Sequence, residues 1–161
     1  MCVAELSAAS SVLGAYSSTQ QANAQAAQYE AAAKVAEQNA ALSENQAGYA
    51  ARAGAQQARQ IRQQGKQTMG TQTATFGASN IDTASGSAAD VIKSTNYENL
   101  MDVLQTKRNT ANTVNSMEND ATNYRSQASS LRASAANAKN AGKLNAFSSL
   151  LGGVTSYYKL K

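Results

Sequence analysis

Large apolar side chains are scarce in this sequence, and their scarcity constrains the fold more than any other feature. Leu, Ile, Val and Phe together make 22 of 161 residues, about 14%. A content below roughly 20% in these four residue types is unusual for a globular domain. A single copy therefore cannot bury enough apolar surface to offset the ordering of its backbone, which costs roughly 1–2 kcal/mol per residue. We expect neighbouring chains to supply the missing burial.

The remaining composition favours long helices. Ala and Gln are abundant and are good helix formers, and the chain has no Pro to break a helix. We therefore predict an all-α protein: an extended helical hairpin of two long helices with coiled-coil-like packing, assembled as a homo-oligomer, with a short apolar C-terminal tail. Composition also leaves open a disordered protective chain that folds only on drying or on membranes.

The residue inventory excludes several kinds of chemistry. The chain has no His, which excludes His-based acid–base catalysis and His metal sites. The single cysteine, Cys2, permits no internal disulfide, and we interpret it as a small apolar side chain. The start of the chain carries Glu5 but no Lys or Arg before Lys34, so we expect no signal peptide. We expect no membrane-spanning helix, no metal and no cofactor.

Glycine and small polar residues divide the chain into four parts. Residues 70–86 are rich in Gly, Ser and Thr, which favour turns over helix. Gly142 and Lys143 have the composition of a helix end. The predicted parts are a long N-terminal helix (1–69), a connector (70–86), a second long helix (87–141) and a C-terminal docking tail (142–161).

The spacing of apolar and small residues predicts two seams of helix contact. In the second helix the steps alternate between three and four residues, which is the spacing of a coiled-coil core. The large residues of this seam are Val114, Met117, Tyr124 and Leu131. In the first helix small residues keep the same rhythm: Ala22, Ala26, Tyr29, Ala33, Ala36, Ala40, Ser43, Ala47, Ala50, Gly54, Ala58 and Ile61. Small side chains predict a close approach of two helices, although so Ala-rich a stretch also produces such a stripe by chance.

Apolar residues outside these seams predict contacts with partners. A row with a seven-residue repeat, Val35, Leu42 and Tyr49, lies on an adjacent face of the first helix and indicates more than one neighbour. The C-terminal tail carries a second group: Phe147, Leu150, Leu151, Tyr157 and Tyr158. A hairpin places both termini at one end, and we expect a docking end there. A protein partner is favoured over a lipid surface because the tail is short and has few flanking charges.

Charged residues also recur every seven positions. An acidic row and a C-terminal basic row can pair in a hairpin: Glu30, Glu37 and Glu44, and Arg125, Arg132 and Lys139. If the chain reverses near Asn80, antiparallel register brings Glu37 near Arg125 and Glu30 near Arg132. Exposed pairs contribute only about 0.2–1 kcal/mol each, so we expect them to set register more than stability.

A further basic row has no acidic row to match it. Its members are Arg52, Arg59, Arg62 and Lys66, and no carboxylate lies between Glu44 and Asp82. On a single chain this row is a solvated face. In a ring of identical chains it becomes stacked rings of positive charge, which would attract DNA phosphates without sequence preference or dock on an acidic partner. Both interpretations stay open.

Two stretches of the sequence carry a recognisable pattern. The first is ARQIRQQGKQTMGTQTATFGASNIDTASGSAADVI, with GSAADVI at residues 86–92, and the second is NYRSQASSLRASAANAKNAGKLNAFSSLLGG, which ends at Gly153. The order of a Gln/Ala/Arg-rich helix, a Gly/Ser connector, GSAxDV and a final small-residue segment resembles the internal virion (core or ejection) proteins of short-tailed bacteriophages. The resemblance covers about residues 50–153.

This resemblance implies a location and a role. Such proteins are packaged inside the capsid near the portal vertex, leave with or ahead of the genome, and help to build a conduit through the host envelope, with one member at the outer membrane. The implied partners are portal, tail or adaptor proteins and other core proteins. A structural head–tail or tail coiled-coil component that never leaves the particle is the alternative. An enzyme is the least expected class, because the Glu row has no apolar pocket around it.

Overall fold

The computed structural model describes the backbone of residues 2–159 and the side chains of residues 12–152 and 155. Two helices make up nearly all of it: α1 spans Cys2–Ala78 and α2 spans Gly86–Lys159. The two helices pack against each other, and the described residues contain no strand. The predicted all-α fold with two long packed helices is therefore confirmed. No helix in the described part of the chain has an apolar stretch long enough to cross a membrane.

The first helix is longer than predicted. It ends at Ala78 and not at Met69, so most of the predicted connector is helical. The threonines in this segment donate their hydroxyl groups to the backbone carbonyl four residues earlier, as Thr71, Thr73 and Thr75 do at 2.8–3.0 Å. A hydroxyl satisfied in this way does not compete for the helical backbone, and the β-branched run therefore stays in the helix.

The end of α1 is a Schellman motif. The N–H of Ile81 donates to the carbonyl of Phe76 at 2.9 Å, and the N–H of Asn80 donates to the carbonyl of Gly77 at 3.1 Å. Asn80 has a φ of 53°, in the left-handed region that this motif requires. Asparagine tolerates this conformation better than most residues. The motif satisfies the last carbonyls of α1 and ends the helix.

Asp82 organises the residues that lead into α2. Its carboxylate accepts the N–H of Ala84 at 2.8 Å and the hydroxyl of Ser85 at 2.6 Å. These two bonds, the Ser85 hydroxyl first, hold the pKa of the Asp82 carboxyl below its usual value. Gly86, with a φ of 69°, then begins α2. The reversal of the chain is thus built from local hydrogen bonds.

The second helix does not stop at Gly142 but continues to Lys159. Gly142 is buried, and a Cβ built on it would overlap the Cβ of Ala22 on α1. The glycine is therefore a point of close helix approach, although its sequence context was that of a helix end. The predicted boundary between the second helix and the tail does not coincide with a change in secondary structure.

The chain divides into two compact units. Unit 1 comprises Met1–Ala41 and Thr122–Lys161. Its core is a column of alanines, in which Ala33, Ala36 and Ala128 form a cluster with Leu131 packed against it. Small side chains bury little apolar surface each but permit close helix contact, so the stability of this unit depends on many small contributions.

Unit 2 comprises Leu42–Ala121. Val103 is the largest fully buried side chain among the described residues. Polar groups lie beside it between the helices. The Nδ2 of Asn99 donates to the backbone carbonyl of Ile61 at 3.2 Å, and the Nε2 of Gln72 donates to the Oγ1 of Thr95 at 3.0 Å. The Oε1 of Gln72 is buried and accepts no hydrogen bond in the described structure.

Two glycines fix the register of unit 2. A Cβ on Gly54 would overlap the side chain of Thr110, and a Cβ on Gly65 would overlap the side chain of Asn99. Moving eleven residues along α1 from Gly54 to Gly65 thus moves the contact eleven residues back along α2. This is the register of an antiparallel helix pair in which the two helices advance at the same rate.

The spacing of the buried residues differs between the units. In unit 1 the buried alanines of α2 repeat every seven residues: Ala128 and Ala135, followed by Gly142. In unit 2 the two glycine contacts are eleven residues apart on each helix: Gly54 and Gly65 on α1, and Thr110 and Asn99 on α2. A seven-residue repeat favours a left-handed supercoil, whereas an eleven-residue repeat gives a straight or slightly right-handed one.

Candidate functional site

The seam residues define two sides of each helix pair. Successive residues of an α-helix turn by about 100°, so the residue after a seam residue lies on one side of the seam and the residue before it lies on the other. In an antiparallel pair the residues that follow the seams of both helices share one side. Contacts in both units agree with this rule, and they divide the surface into two sides with different chemistry.

In unit 1 the residues that follow the seam form ion pairs. The Nζ of Lys139 lies 2.7 Å from the Oε1 of Glu30, and the Nη2 of Arg132 lies 2.6 Å from the Oε1 of Glu37. The hydrogen bond from Lys139, then its charge and that of Lys34, lower the pKa of the Glu30 carboxyl from its usual value. These pairs are exposed, so they specify register more than they stabilise.

The predicted partners of these carboxylates were wrong by one heptad. Glu37 pairs with Arg132 and not with Arg125, and Glu30 pairs with Lys139 and not with Arg132. The cause lies in the turn, because α1 runs to Ala78 and the reversal is centred near residue 82. Moving the reversal by two residues along α1 moves the position on α2 that faces Glu37 by about four, so that it lies between Arg125 and Arg132, and Glu37 pairs with the farther of the two.

In unit 2 the basic row is exposed and unpaired. Three of its members follow seam residues directly: Arg59 follows Ala58, Arg62 follows Ile61, and Lys66 follows Gly65. Arg52, seven residues before Arg59, is also exposed. None of the four forms an ion pair within the described part of the chain. We call the surface that carries Arg59, Arg62, Lys66 and, on α2, Leu100, Leu104 and Lys107 the cationic side.

The opposite side of unit 2 is a polar groove with two carboxylates. Glu98 precedes Asn99 and Asp102 precedes Val103, and both line a groove together with Gln64 and Thr68 of α1. A second groove on this side is lined by Gln57 and Asn109, among other residues. Neither carboxylate forms an ion pair in the described structure. We call this surface the groove side.

The predicted seam residues of α2 are half-buried between the helices. In unit 2 these are Val114 and Met117, and in unit 1 they are Tyr124 and Leu131. The alanines between them, such as Ala121 at 1% exposure, are more deeply buried than the large residues. The small residues therefore make the closest contacts, and the large ones extend along the edge of the seam.

The apolar row of α1 and the C-terminal tail are exposed. Val35, Leu42 and Tyr49 are more than half exposed, and so is Phe147. The remaining described tail residues are exposed as well: Leu150 and Leu151. The side chains of Tyr157 and Tyr158 lie outside the described residues. Apolar side chains left open in this way are typical of surfaces that contact partners.

Sequence reasoning missed one apolar stripe. Tyr97, Leu100, Met101 and Leu104 are all exposed on α2 of unit 2. Their spacing of three, four and seven residues is that of one helix face, and this periodicity was present in the sequence. The stripe was missed because heptads of apolar residues mark the predicted seams, and the seam of unit 2 beside this stripe contains polar residues instead.

Comparison with known protein families identifies the family of this chain. The model of the T7 virus internal virion protein gp14 family matches residues 1–160. The chain belongs to this family. No curated protein and no solved structure matches the chain. The resemblance to the internal virion proteins of short-tailed phages is therefore confirmed.

As a member of the gp14 family, the chain is an internal virion protein of a phage. It lies inside the virion and associates with other virion components. The family description names a virion protein and no catalytic activity. Within the described residues no group of His, Cys, Asp and Glu side chains is arranged to hold a metal ion. The surfaces with an expected role are thus those that contact other macromolecules.

Proposed function

We propose that the chain is packed at the portal vertex inside the capsid, leaves the head with or ahead of the genome, and helps to form the conduit for DNA through the host envelope. Membership of the gp14 family over residues 1–160 is the observation that carries this proposal. Portal or tail proteins, other core proteins and further copies of the chain are the proposed partners in the particle. The host outer membrane is the proposed contact after ejection.

The construction of the helix pair suits passage through a narrow tube. Its core consists almost entirely of alanines, and Val103 is the largest side chain that is fully buried among the described residues. Little apolar surface must be exposed to separate the two helices, so the free energy of unfolding to be overcome is small. A protein with a large packed core would resist such passage far more strongly.

The fate of the protein distinguishes ejection from a purely structural role. Phage with an isotopically labelled copy of the chain would be adsorbed to host cells, and the emptied particles separated from the cell envelope. We expect the label in the envelope fraction, with labelled major capsid protein remaining in the particles as the control. Label that stays with the emptied particles would instead support a head–tail or tail component.

The basic row is proposed to contact either DNA or an acidic partner. Replacing Arg52, Arg59, Arg62 and Lys66 together by Gln should reduce incorporation into the particle or delivery of the genome. A matched control replaces four other exposed cations by Gln: Lys34, Lys93, Arg108 and Lys143. Both variants lose the same charge, so infectivity that falls equally in both, or in neither, would exclude a specific role for the row.

The apolar C-terminal tail is proposed to dock on a virion partner. Since α2 continues through this segment, substitution tests docking more cleanly than truncation. Replacing the exposed residues Phe147, Leu150 and Leu151 by Ser should lower the number of copies in purified particles. The matched control replaces the exposed Ile81 and Val91 by Ser, and normal packaging of the tail variant would contradict the proposal.

A further inference from the structure

Opposite charges lie on opposite sides of unit 2. The cationic side carries Arg59, Arg62 and Lys66 on α1, and the residues that follow the facing seam positions on α2, Leu100, Leu104 and Lys107, include no carboxylate. The groove side carries Glu98 and Asp102 on α2, and no cation lies among the residues that precede its seam positions. These two sets do not pair within the described chain. Each set therefore lacks a counter-charge that the other could supply in a second copy.

The two sets also lie at the same height along the helix pair. Gly65 faces Asn99, so the preceding residue on α2, Glu98, lies level with Lys66, which follows Gly65 on α1. Four residues further along α2 and four residues back along α1, Asp102 lies level with Arg62 by the same register. Both pairs are separated by one helical turn, about 6 Å. A cation and a carboxylate thus occupy each level, on opposite sides of the pair.

Equal height matters because of symmetry. When copies are related by rotation about an axis parallel to the helices, every residue keeps its height, and a surface on one side of a copy meets the opposite side of its neighbour. Contacts of this kind close into a ring when the rotation closes. Only charges that are level with each other can pair in such an arrangement, and Lys66 with Glu98 and Arg62 with Asp102 meet this condition.

We propose that copies of this chain associate side by side and in parallel through unit 2, with Lys66 and Arg62 of one copy paired with Glu98 and Asp102 of the next. Leu100 and Leu104 on the cationic side add apolar area to the contact. This inference rests on the proposed assembly of several copies and identifies the surfaces involved. The acidic partner of the basic row is then a second copy of the chain.

The pattern favours a second copy over DNA. A DNA-facing surface is expected to be uniformly cationic and polar, because phosphate attraction is its main source of affinity. Here the cationic side includes two exposed leucines, and a carboxylate lies level with Lys66 and another with Arg62 on the other side. DNA contact would leave Glu98 and Asp102 without a role, whereas a neighbouring copy uses both sets of charges.

Charge reversal tests the contact on the full-length chain. In the variant with Arg62→Glu and Lys66→Glu the two levels of the contact carry negative charge on both sides, and in the variant with Glu98→Lys and Asp102→Lys they carry positive charge on both sides. We expect each variant alone to need at least about tenfold higher concentration than the wild type to associate in analytical ultracentrifugation. We expect an equimolar mixture of the two, and the fourfold swap on one chain, to associate again at wild-type concentrations.

A matched control separates this contact from net charge. The variant with Arg108→Glu and Lys143→Glu changes the charge as much as the first variant, but neither residue belongs to the proposed contact. It should associate like the wild type, and circular dichroism should show all variants to be helical. Association of both single-side variants at wild-type concentrations would overturn the inference while leaving assembly through other surfaces intact. A wild type that stays monomeric at all concentrations would contradict the assembly proposal itself.

Zero-length cross-linking of the unaltered chain gives an independent test. A carbodiimide joins an amine to a carboxylate only in direct contact, and it should link Lys66 to Glu98. In an equimolar mixture of unlabelled and ¹⁵N-labelled chains, the linked peptides should include mixed-isotope pairs in about half of the molecules. Linked peptides of one isotope only, or no link at Lys66, would overturn the inference. So would added DNA that blocks the cross-linking of Lys66 while the oligomer persists.

Discussion

The two units use the same helices but build their contacts differently. In unit 1 alanines fill the seam, the repeat is seven residues, and the charges beside the seam are paired across the helices. In unit 2 glycine, threonine, asparagine and glutamine enter the seam, the repeat is eleven residues, and the basic row is unpaired. The charged residues beside the seam of unit 1 therefore pair within the chain. In unit 2 the basic row and the Gln72 Oε1 have no partner in the described structure.

This difference shows how a chain with few large apolar residues can divide its tasks. Close contact between small side chains needs no large core, and ion pairs join the acidic row of α1 to the basic row of α2 beside the seam. On this side of unit 1 the paired charges are therefore not available to bind a partner. The unpaired charges of unit 2 are available to bind a partner, and for this reason we assign the contact between copies to that unit.

The largest expected effect is overpacking of the alanine seam in unit 1. Replacing the buried Ala128 by Leu adds three carbons where the helices are in close contact, and we expect a loss of about 1–3 kcal/mol in the free energy of unfolding. Thermal unfolding followed by circular dichroism at fixed concentration measures it. The matched control, Ala133→Leu, lies on the exposed side of the same helix and should change stability little. An equal effect of both would mean that the seam is not closely packed.

Glycine substitutions sharpen the comparison of the two units. At Gly142 in unit 1 a new Cβ meets Ala22, which cannot rotate away, and we expect Gly142→Ala to cost about 1–3 kcal/mol. At Gly65 in unit 2 it meets Asn99, which can rotate at the loss of one hydrogen bond, so Gly65→Ala should cost only about 1 kcal/mol. Gly48→Ala, with open space around it, should stabilise by about 0.5–1 kcal/mol. The order of the three unfolding midpoints tests this, and a stabilising Gly142→Ala would refute the close approach.

The polar seam of unit 2 should gain stability when an unsatisfied group is removed. Gln72→Met keeps the length of the side chain and removes the buried Oε1 that has no partner. We expect a gain of about 1 kcal/mol, since the desolvation of that oxygen exceeds the value of one side-chain hydrogen bond. Chemical denaturation measures the change, with Gln60→Met at an exposed position as the control. A loss of stability would indicate that the amide is satisfied in solution.

The smallest expected effect concerns the ion pairs of unit 1. Glu37→Gln should cost only about 0.2–0.5 kcal/mol, and the cost should disappear at high salt because the pair with Arg132 is exposed.

The pKa of Glu30 is lowered in the folded chain, so the contribution of its carboxylate to the free energy of unfolding is fully present above the usual pKa of 4.5. This contribution is lost as the pH falls through the pKa of the folded chain. Unfolding midpoints between pH 6 and about pH 3 measure this. Stability that rises on acidification would contradict the assigned sign.

Much of the fold follows from the sequence because its determinants are local. The lack of proline, the abundance of Ala and Gln, and the small-residue stripe from Ala22 to Ile61 predict two close-packed helices. Most of the positions that the structure buries on α1 belong to this stripe, and Ala15 and Gly65 extend it at either end. The family was also recognisable from the connector and the final segment. These features need only the spacing and type of neighbouring residues.

The register and the helix ends did not follow, because they depend on contacts between distant residues. Threonines that favour turns by composition bond to their own helix, and Gly142 appears as a helix end until Ala22 is placed against it. Both predicted ion pairs were displaced by a heptad along α2, because the turn is centred two residues later than predicted and each Glu pairs with the farther of its two basic neighbours. The eleven-residue repeat of unit 2 was hidden for the same reason, since its seam residues are polar and do not form an apolar pattern.

The local hydrogen bonds of the turn have a consequence for the kinetics of folding. The Schellman motif and the Asp82 carboxylate form the reversal without help from any distant residue. Gln72 and Thr95 are separated by 23 residues, so closing the chain between them costs far less entropy than closing the 109 residues between Glu30 and Lys139. We expect the pairing of α1 with α2 to begin beside the turn and to extend from there toward the two ends of the chain. Each further contact between the helices would then close only a short loop, and formation of the turn would set the rate of folding.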